Sequence, residues 1–356
     1  MHRKLFIPGP VEVHPDVLKA MASPMIGHRD PEYSVLHQRV KTKAQKLLYT
    51  RRPVFFSTSS AWGVMEGAVR NLVGKRALNC MCGAFSDHWH AVTKSCGKEA
   101  DPLQVEWGKA IKPEMVDQAL ATGRYDAVTL IYNETSTGVM NPTPEIAAVV
   151  KKYPDVMLIV DAVSAMAGVK IEFDTLGADV LLAGVQKAFG LPPGFTVFVV
   201  SERALARAAK MPGRGFYFDF LEFKKFDEKD QTPSTPSISH MYALDAMLDR
   251  VEKEGLDARF ARHRAMADAC RAWVKDRGFA MFPEAGYESI TLSTIANTRK
   301  VDINKLNQGL GERGYVISDG YGKLKGQTFR IAHMAETTLA ELKELLGHID
   351  EVMKGM

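Results

Sequence analysis

Three short stretches of this 356-residue chain carry residue types that can do chemistry together. Asp161 ends the apolar run Leu158-Ile159-Val160 and precedes Ala162-Val163-Ser164. A carboxylate at the end of an apolar strand needs a partner, because burying it alone is costly. It serves either as a helix N-cap or as the counter-charge of a cationic ring nitrogen. Lys187 lies 26 residues later, in Gly184-Val185-Gln186-Lys187-Ala188-Phe189-Gly190. Apolar neighbours desolvate an amine and lower its pKa, and an amine must shed its proton to attack a carbonyl. The other reading of Lys187 is a surface turn residue. Ser57-Thr58-Ser59-Ser60-Ala61-Trp62-Gly63 leads into a helical pattern. Hydroxyls at a helix N-terminus, with free backbone N–H groups and a favourable dipole, suit a phosphate; the plainer role is N-capping. This run is neither a Walker loop nor a dinucleotide fingerprint.

Together, a phosphate cradle, a carboxylate for a pyridinium nitrogen and a lysine for a Schiff base are what pyridoxal 5′-phosphate requires. The elements that must position them follow from the apolar pattern. Continuous apolar runs at 54–56, 77–82, 128–132, 156–160, 180–183 and 197–200 read as buried strands. Helical patterns at 60–73, 87–96 and 144–153 lie between them. This alternation predicts an α/β fold with a mostly parallel sheet covered on both faces, with ligands at the C-terminal strand ends. The stretch 211–236, aromatic and charged, reads as a long loop, and such loops are usually functional; Arg214, Tyr217 and Asp219 within it are placed to reach the site. Long helices are expected at 238–254 and 256–277. Strands at 289–295 and 329–331 and helices at 303–313 and 339–353 then form a smaller α+β unit. Thr338 and Glu341 have capping-box spacing before the last helix.

At this point the chain resembles fold-type I pyridoxal-phosphate enzymes of the class V aminotransferases. It is most similar to the alanine–glyoxylate and serine–pyruvate group. The most specific stretches are Asn133-Glu134-Thr135-Ser136-Thr137-Gly138, Val160-Asp161-Ala162-Val163-Ser164 and Gln186-Lys187-Ala188 running to Pro192-Pro193-Gly194. The resemblance implies a large domain with a seven-stranded sheet at 16–250. It implies a small α+β domain at 251–356, and a segment 1–15 that packs with the small domain. It makes Lys187 the Schiff-base lysine and Asp161 the pyridinium partner. Ser60, Ala61 and Trp62 correspond to the phosphate loop, where the family often has Gly-His in place of Ala61-Trp62. Phe85 corresponds to the aromatic stacked on the ring, Thr135 to a hydroxyl near the cofactor's 3′-oxygen and Gln186 to a phosphate contact. Thr235 corresponds to a residue donated from a neighbouring subunit, which implies a homodimer with shared sites. Arg330, in Phe329-Arg330-Ile331-Ala332, corresponds to the arginine that grips the substrate carboxylate, a task its planar fork suits.

His28 and Arg29, in Gly27-His28-Arg29-Asp30-Pro31, either contact an acidic group on the substrate or bind loops at a dimer interface. The expected reaction is ping-pong transamination from alanine or serine to glyoxylate or pyruvate. Phosphoserine aminotransferase is the alternative. Cysteine desulfurase is set aside because Cys270, the one cysteine after Lys187, lies within a helical pattern.

Composition agrees with a globular enzyme. A formal net charge of +4 spread along the chain gives no nucleic-acid footprint, and no apolar run is long enough to cross a bilayer. The basic N-terminus is followed by no signal-length apolar stretch. Cys80, Cys82, Cys96 and Cys270 complete no zinc spacing, so no metal is expected; they read as buried hydrophobes in a reducing compartment, and the protein as cytoplasmic. His88 and His90, alternate residues on a helix, point in different directions and are expected on the surface or in packing.

Overall fold

A computed structural model describes residues 2–356. Its centre is a seven-stranded sheet. In spatial order the strands are Val54–Ser57, Thr196–Val200, Val180–Gly184, Met157–Asp161, Ala127–Ile131, Arg76–Met81 and Glu99–Gln104. Thr196–Val200 runs antiparallel to both neighbours, and every other pairing is parallel. The five central strands of the series are almost wholly buried, which is why they read as unbroken apolar runs. Successive side chains enter opposite layers. Leu158, Val160, Leu181 and Ala183 join one core, and Met157, Ile159, Val180 and Leu182 join the other. Glu99–Gln104 is half-exposed and contains Pro102, in keeping with its place at the edge. The sequence pattern did not single out this strand, because none of its residues is fully buried.

A second, five-stranded sheet has the order Lys4–Phe6, Tyr315–Asp319, Thr328–Ala332, Leu292–Ala296 and Ala280–Met281. Its first pairing is parallel and the rest are antiparallel. Helices Leu256–Asp276, Ile303–Glu312 and Leu339–Lys354 cover one face, over a core that includes Phe6, Leu306, Phe329, Ile331 and Leu345. The N-terminal strand therefore belongs to this sheet although the large sheet intervenes in sequence. The capping box forms as expected: Thr338 Oγ1 accepts the Glu341 N–H, and the Thr338 N–H reaches Glu341 Oε2 at 2.8 Å.

Two expectations need correction. The stretch 211–236 is not one structureless loop. Helix Phe220–Asp227 interrupts it, N-capped by the Asp219 carboxylate, with Phe220 and Phe223 packed on the sheet. The cap and apolar spacing were legible, but Pro and Ser farther along masked them. The strand expected at 289–295 begins only at Leu292. The Ser289 hydroxyl accepts from the Thr291 N–H at 3.1 Å, a local turn that occupies backbone a ladder would need.

Candidate active site

The four inner parallel strands of the large sheet end on one side, and the cavity lies beyond those ends. It is an open pocket with about 470 Å³ of free space, part of it continuous with solvent. Asp161, Lys187, Thr135 and Phe85 line it, together with Gln186 and the Ser60-Ala61-Trp62 turn. Eight of the positions singled out from the sequence thus converge on one space although 127 residues of chain separate the first from the last.

Asp161 is the last residue of its strand and is 6% exposed. Its Oδ1 accepts the Val163 N–H at 2.7 Å, and its Oδ2 has no hydrogen-bond partner among the described residues. Burial pushes this carboxyl up to about 7; the Val163 N–H opposes the shift and Glu134 adds to it. A carboxylate in this condition lacks a cation. The N-cap reading is not realised, since no regular helix begins after it.

Lys187 follows the strand Val180–Gly184 on a turn and is 9% exposed. Its Nζ donates to the Pro8 carbonyl at 2.7 Å and to Thr135 Oγ1 at 3.3 Å. Thr135 Oγ1 is in turn 2.5 Å from the Ser164 hydroxyl. Burial pulls the amine down to about 8, with Asp161 working against the shift and Arg330 reinforcing it. Gly9, at φ +109°, brings the N-terminal segment close: a Cβ there would stand 3.0 Å from Lys187 Cγ. The Phe85 ring centroid lies 5.7 Å from Nζ.

Helix Ala61–Leu72 starts at Ser60, whose side chain makes no capping bond. Its hydroxyl and the first-turn N–H groups of Ala61 and Trp62 are therefore available to an anion. The Trp62 indole packs edge-on against His88, ring centroids 4.5 Å apart, which gives that histidine a packing role. His90 contacts the Ala100 carbonyl.

Arg330 reaches the same region from the middle of the small sheet. It is 7% exposed, and burial lowers its pKa from the ordinary arginine value. Nε donates to the Asp319 carbonyl at 3.1 Å and Nη1 to the Thr135 carbonyl at 3.3 Å. Nη2 has no partner among the described residues, so part of the fork is free.

Six positions, among them Arg214, Tyr217 and Asp219, which were expected to reach the site, do not line this cavity within one subunit. Thr235 lines a separate groove with Ser57, Thr58 and Tyr217. Arg29 donates to the Thr232 carbonyl at 2.8 Å and the Pro233 carbonyl at 3.1 Å, and so holds the loop that carries Thr235. His28 is half-buried beside it. Arg214 and Asp219 bond to each other at 3.0 Å and shape their own loop, while the Tyr217 hydroxyl donates to the Thr58 carbonyl.

Two contributors escaped the sequence reading. The Pro8 carbonyl has no type signature at all. Glu134 is fully buried and accepts from the Ser86 N–H at 3.0 Å and from the Ser136 hydroxyl at 2.6 Å. It fixes the N-terminus of helix Ala84–Ser95, which carries Phe85. A carboxylate in an otherwise apolar and hydroxyl-bearing stretch was the available signal.

The fit to pyridoxal 5′-phosphate rests on these demands. Asp161 needs a buried cation, Lys187 needs a carbonyl partner, the helix start offers N–H groups to a phosphate, and Phe85 offers a flat face. One planar molecule with those four features meets all of them.

Comparison with known proteins gives the same answer. Over 358 aligned residues the chain is 37% identical to an uncharacterized aminotransferase of Methanocaldococcus jannaschii, covering 98% of this chain and 92% of the relative. It is 33% identical to a serine–glyoxylate aminotransferase of Hyphomicrobium methylovorum, over 99% of this chain and 86% of that one. The crystal structure of an alanine–glyoxylate aminotransferase from Nostoc superposes with a TM-score of 0.93 at 26% identity, covering 99% and 96% of the two chains. The family model for class V aminotransferases matches residues 74–338, from just before strand Arg76–Met81 to the cap of the last helix. With the cavity's demands and this match in agreement, the chain belongs to the class V aminotransferases, enzymes of fold type I that work through pyridoxal phosphate on small amino and oxo acids.

Proposed function

We propose that this enzyme moves the amino group of alanine or serine to glyoxylate or pyruvate, in two half-reactions that share one site. The observation that carries this reading is the cation inventory of the cavity. Among the described residues Lys187 is the one basic side chain that lines it, and Arg330 joins at the rim. One guanidinium edge matches one α-carboxylate. Arg29, the residue that a distal phosphate or carboxylate would call on, already serves two backbone carbonyls. A small neutral side chain therefore fits better than phosphoserine.

In this reading Asp161 holds the ring nitrogen's proton, and Ser60 with the Ala61 and Trp62 N–H groups holds the phosphate. Gln186 lies at the same cavity wall as a further phosphate contact. When bound, the cofactor supplies an electron sink for the substrate's Cα. Arg330 orients the substrate carboxylate through Nη2 and Nη1. Lys187 Nζ then takes the α-proton, and its lowered pKa keeps much of the amine neutral near pH 8. Thr135 and the Pro8 carbonyl hold Nζ in place between uses. Thr235 lies in a groove separate from its own subunit's cavity; in this reading it serves a partner's site instead, and the working unit is a homodimer. The four free cysteines, three of them buried, support a reducing compartment such as the cytoplasm.

A donor-by-acceptor matrix on the purified holoenzyme tests the reading. Alanine or serine with glyoxylate or pyruvate is expected to give the highest kcat/KM. Turnover of phosphoserine with 2-oxoglutarate, and none with alanine or serine, overturns it.

A further inference from the structure

Tyr321 stands where the small sheet meets the cavity. It is the second residue of the segment between strands Tyr315–Asp319 and Thr328–Ala332, the second of which carries Arg330. Its ring centroid is 5.0 Å from that of Phe85, and the Arg330 guanidinium carbon lies 5.6 Å from the Tyr321 centroid. One aromatic ring therefore spans the gap between the residue facing the cofactor and the residue gripping the substrate.

The segment is built to hold it there. The Asp319 carboxylate closes the neck, accepting from the Gly320 N–H at 2.7 Å and the Gly326 N–H at 2.8 Å. The short 3-10 turn Gly322–Leu324 buries Leu324. Lys323 Nζ sits 4.1 Å from the Trp107 ring centroid, and the Trp107 indole N–H donates to Asp87 on the helix that carries Phe85. The segment is thus fastened at its base to the small sheet and at its tip to the large unit. Tyr321 itself is 42% exposed. Folding does not call for an exposed tyrosine on a pinned turn, so its value lies in what it faces.

We infer that Tyr321 is a specificity-determining residue that limits the donor's side chain to a few atoms; this rests on the function proposed above. The Tyr321 ring fills the space between Phe85 and the guanidinium. A substrate whose carboxylate meets Arg330 and whose Cα meets Lys187 therefore lies alongside that ring, and a branched aliphatic or aromatic side chain directed toward it collides with it. The ring's negative face, turned to the guanidinium, also disfavours an acidic side chain at that point.

The test compares wild-type holoenzyme with Tyr321→Ala and Tyr321→Phe. Each is assayed with alanine, serine, leucine and phenylalanine as donors and glyoxylate as acceptor. Opening the wall is expected to raise the kcat/KM ratio of leucine or phenylalanine over alanine by about 10-fold or more in Tyr321→Ala. Tyr321→Phe keeps the ring and is expected to hold the ratio within about twofold of wild type. The cofactor's visible absorbance, measured on each variant, reports an intact site. An unchanged ratio in Tyr321→Ala overturns the inference, and so does a Tyr321→Phe shift as large as the alanine variant's. Wild-type enzyme inert to alanine and serine removes the donor reading instead; the variant-to-wild-type ratio on the donors it does accept still decides the role of Tyr321.

Discussion

The two sheets serve one cavity in different ways. The large sheet contributes from its strand ends and the turns after them: Asp161 closes one strand, Lys187 follows another, and Ser60 opens the helix after a third. The small sheet contributes Arg330 from the centre of an antiparallel strand, paired with Thr294 on one side and Ser318 on the other. Its neighbours Phe329 and Ile331 point into the small core, so alternation turns Arg330 to the opposite face, where it meets the Thr135 carbonyl. Strand ends let a functional residue sit in a contiguous motif whose local backbone is free to vary. A mid-strand residue is fixed by register, and a slip of one position would drive the guanidinium into Leu345 and its neighbours. Cofactor chemistry is thus placed by turns and substrate grip by a ladder.

Substitutions separate the two contributions. The largest effect is expected at Lys187: Lys187→Ala should lower kcat by about 10⁴-fold or more, since both the covalent anchor and the proton carrier are lost. Borohydride reduction of wild-type holoenzyme followed by peptide mapping should place the label on Lys187 and nowhere else.

Asp161→Asn comes next, with kcat expected to fall on the order of 10²-fold or more. Its effect on the apoprotein should have the opposite sign. A folded-state pKa of about 7, above the ordinary carboxylate value of 3.8, means that the folded chain holds a proton the unfolded chain releases. Stability is therefore fullest below the unfolded pKa and declines as pH rises toward 7. Removing the charge should stabilise the apoprotein above pH 7, by about 4 kcal/mol at most. Urea melts of both apoproteins at pH 5 and pH 8 check this. A variant less stable at pH 8 than wild type would falsify the account of Asp161.

On the small-sheet side, Arg330→Lys should lower kcat/KM roughly 10- to 100-fold, because a lysine keeps the charge but loses the fork. The cofactor's absorbance should stay as in wild type. If cofactor binding fell as steeply as substrate turnover, the division of labour between the sheets would break down.

The smallest effect is a pH profile. The Lys187 amine, lowered to about 8 by burial, should capture pyridoxal phosphate faster as pH rises through 8 and level off above it. Stopped-flow capture by apoprotein reads this directly. A rate still climbing at the ordinary lysine pKa of 10.5 would show the amine to be solvated.

How much of this was legible in the sequence depended on whether the signal was local. The apolar runs at 157–160 and 180–183 announced buried strands because both faces of the central sheet are covered, whereas the edge strand Glu99–Gln104 and the two-residue strand Ala280–Met281 left no such trace. The helix inside 211–236 was missed for a similar reason, its short apolar stripe being outweighed by flanking turn residues.

The chain alone determined the residue types, their order and the turns that carry them, because a stretch such as Ser57–Gly63 leading into a helix is written in consecutive residues. Only the tertiary structure decided that Pro8 would hold Lys187, that Glu134 would set the helix bearing Phe85, and that Tyr321 would face Arg330. Those contacts join residues far apart along the chain, and burial and strand register, not local propensity, bring them within reach of one another.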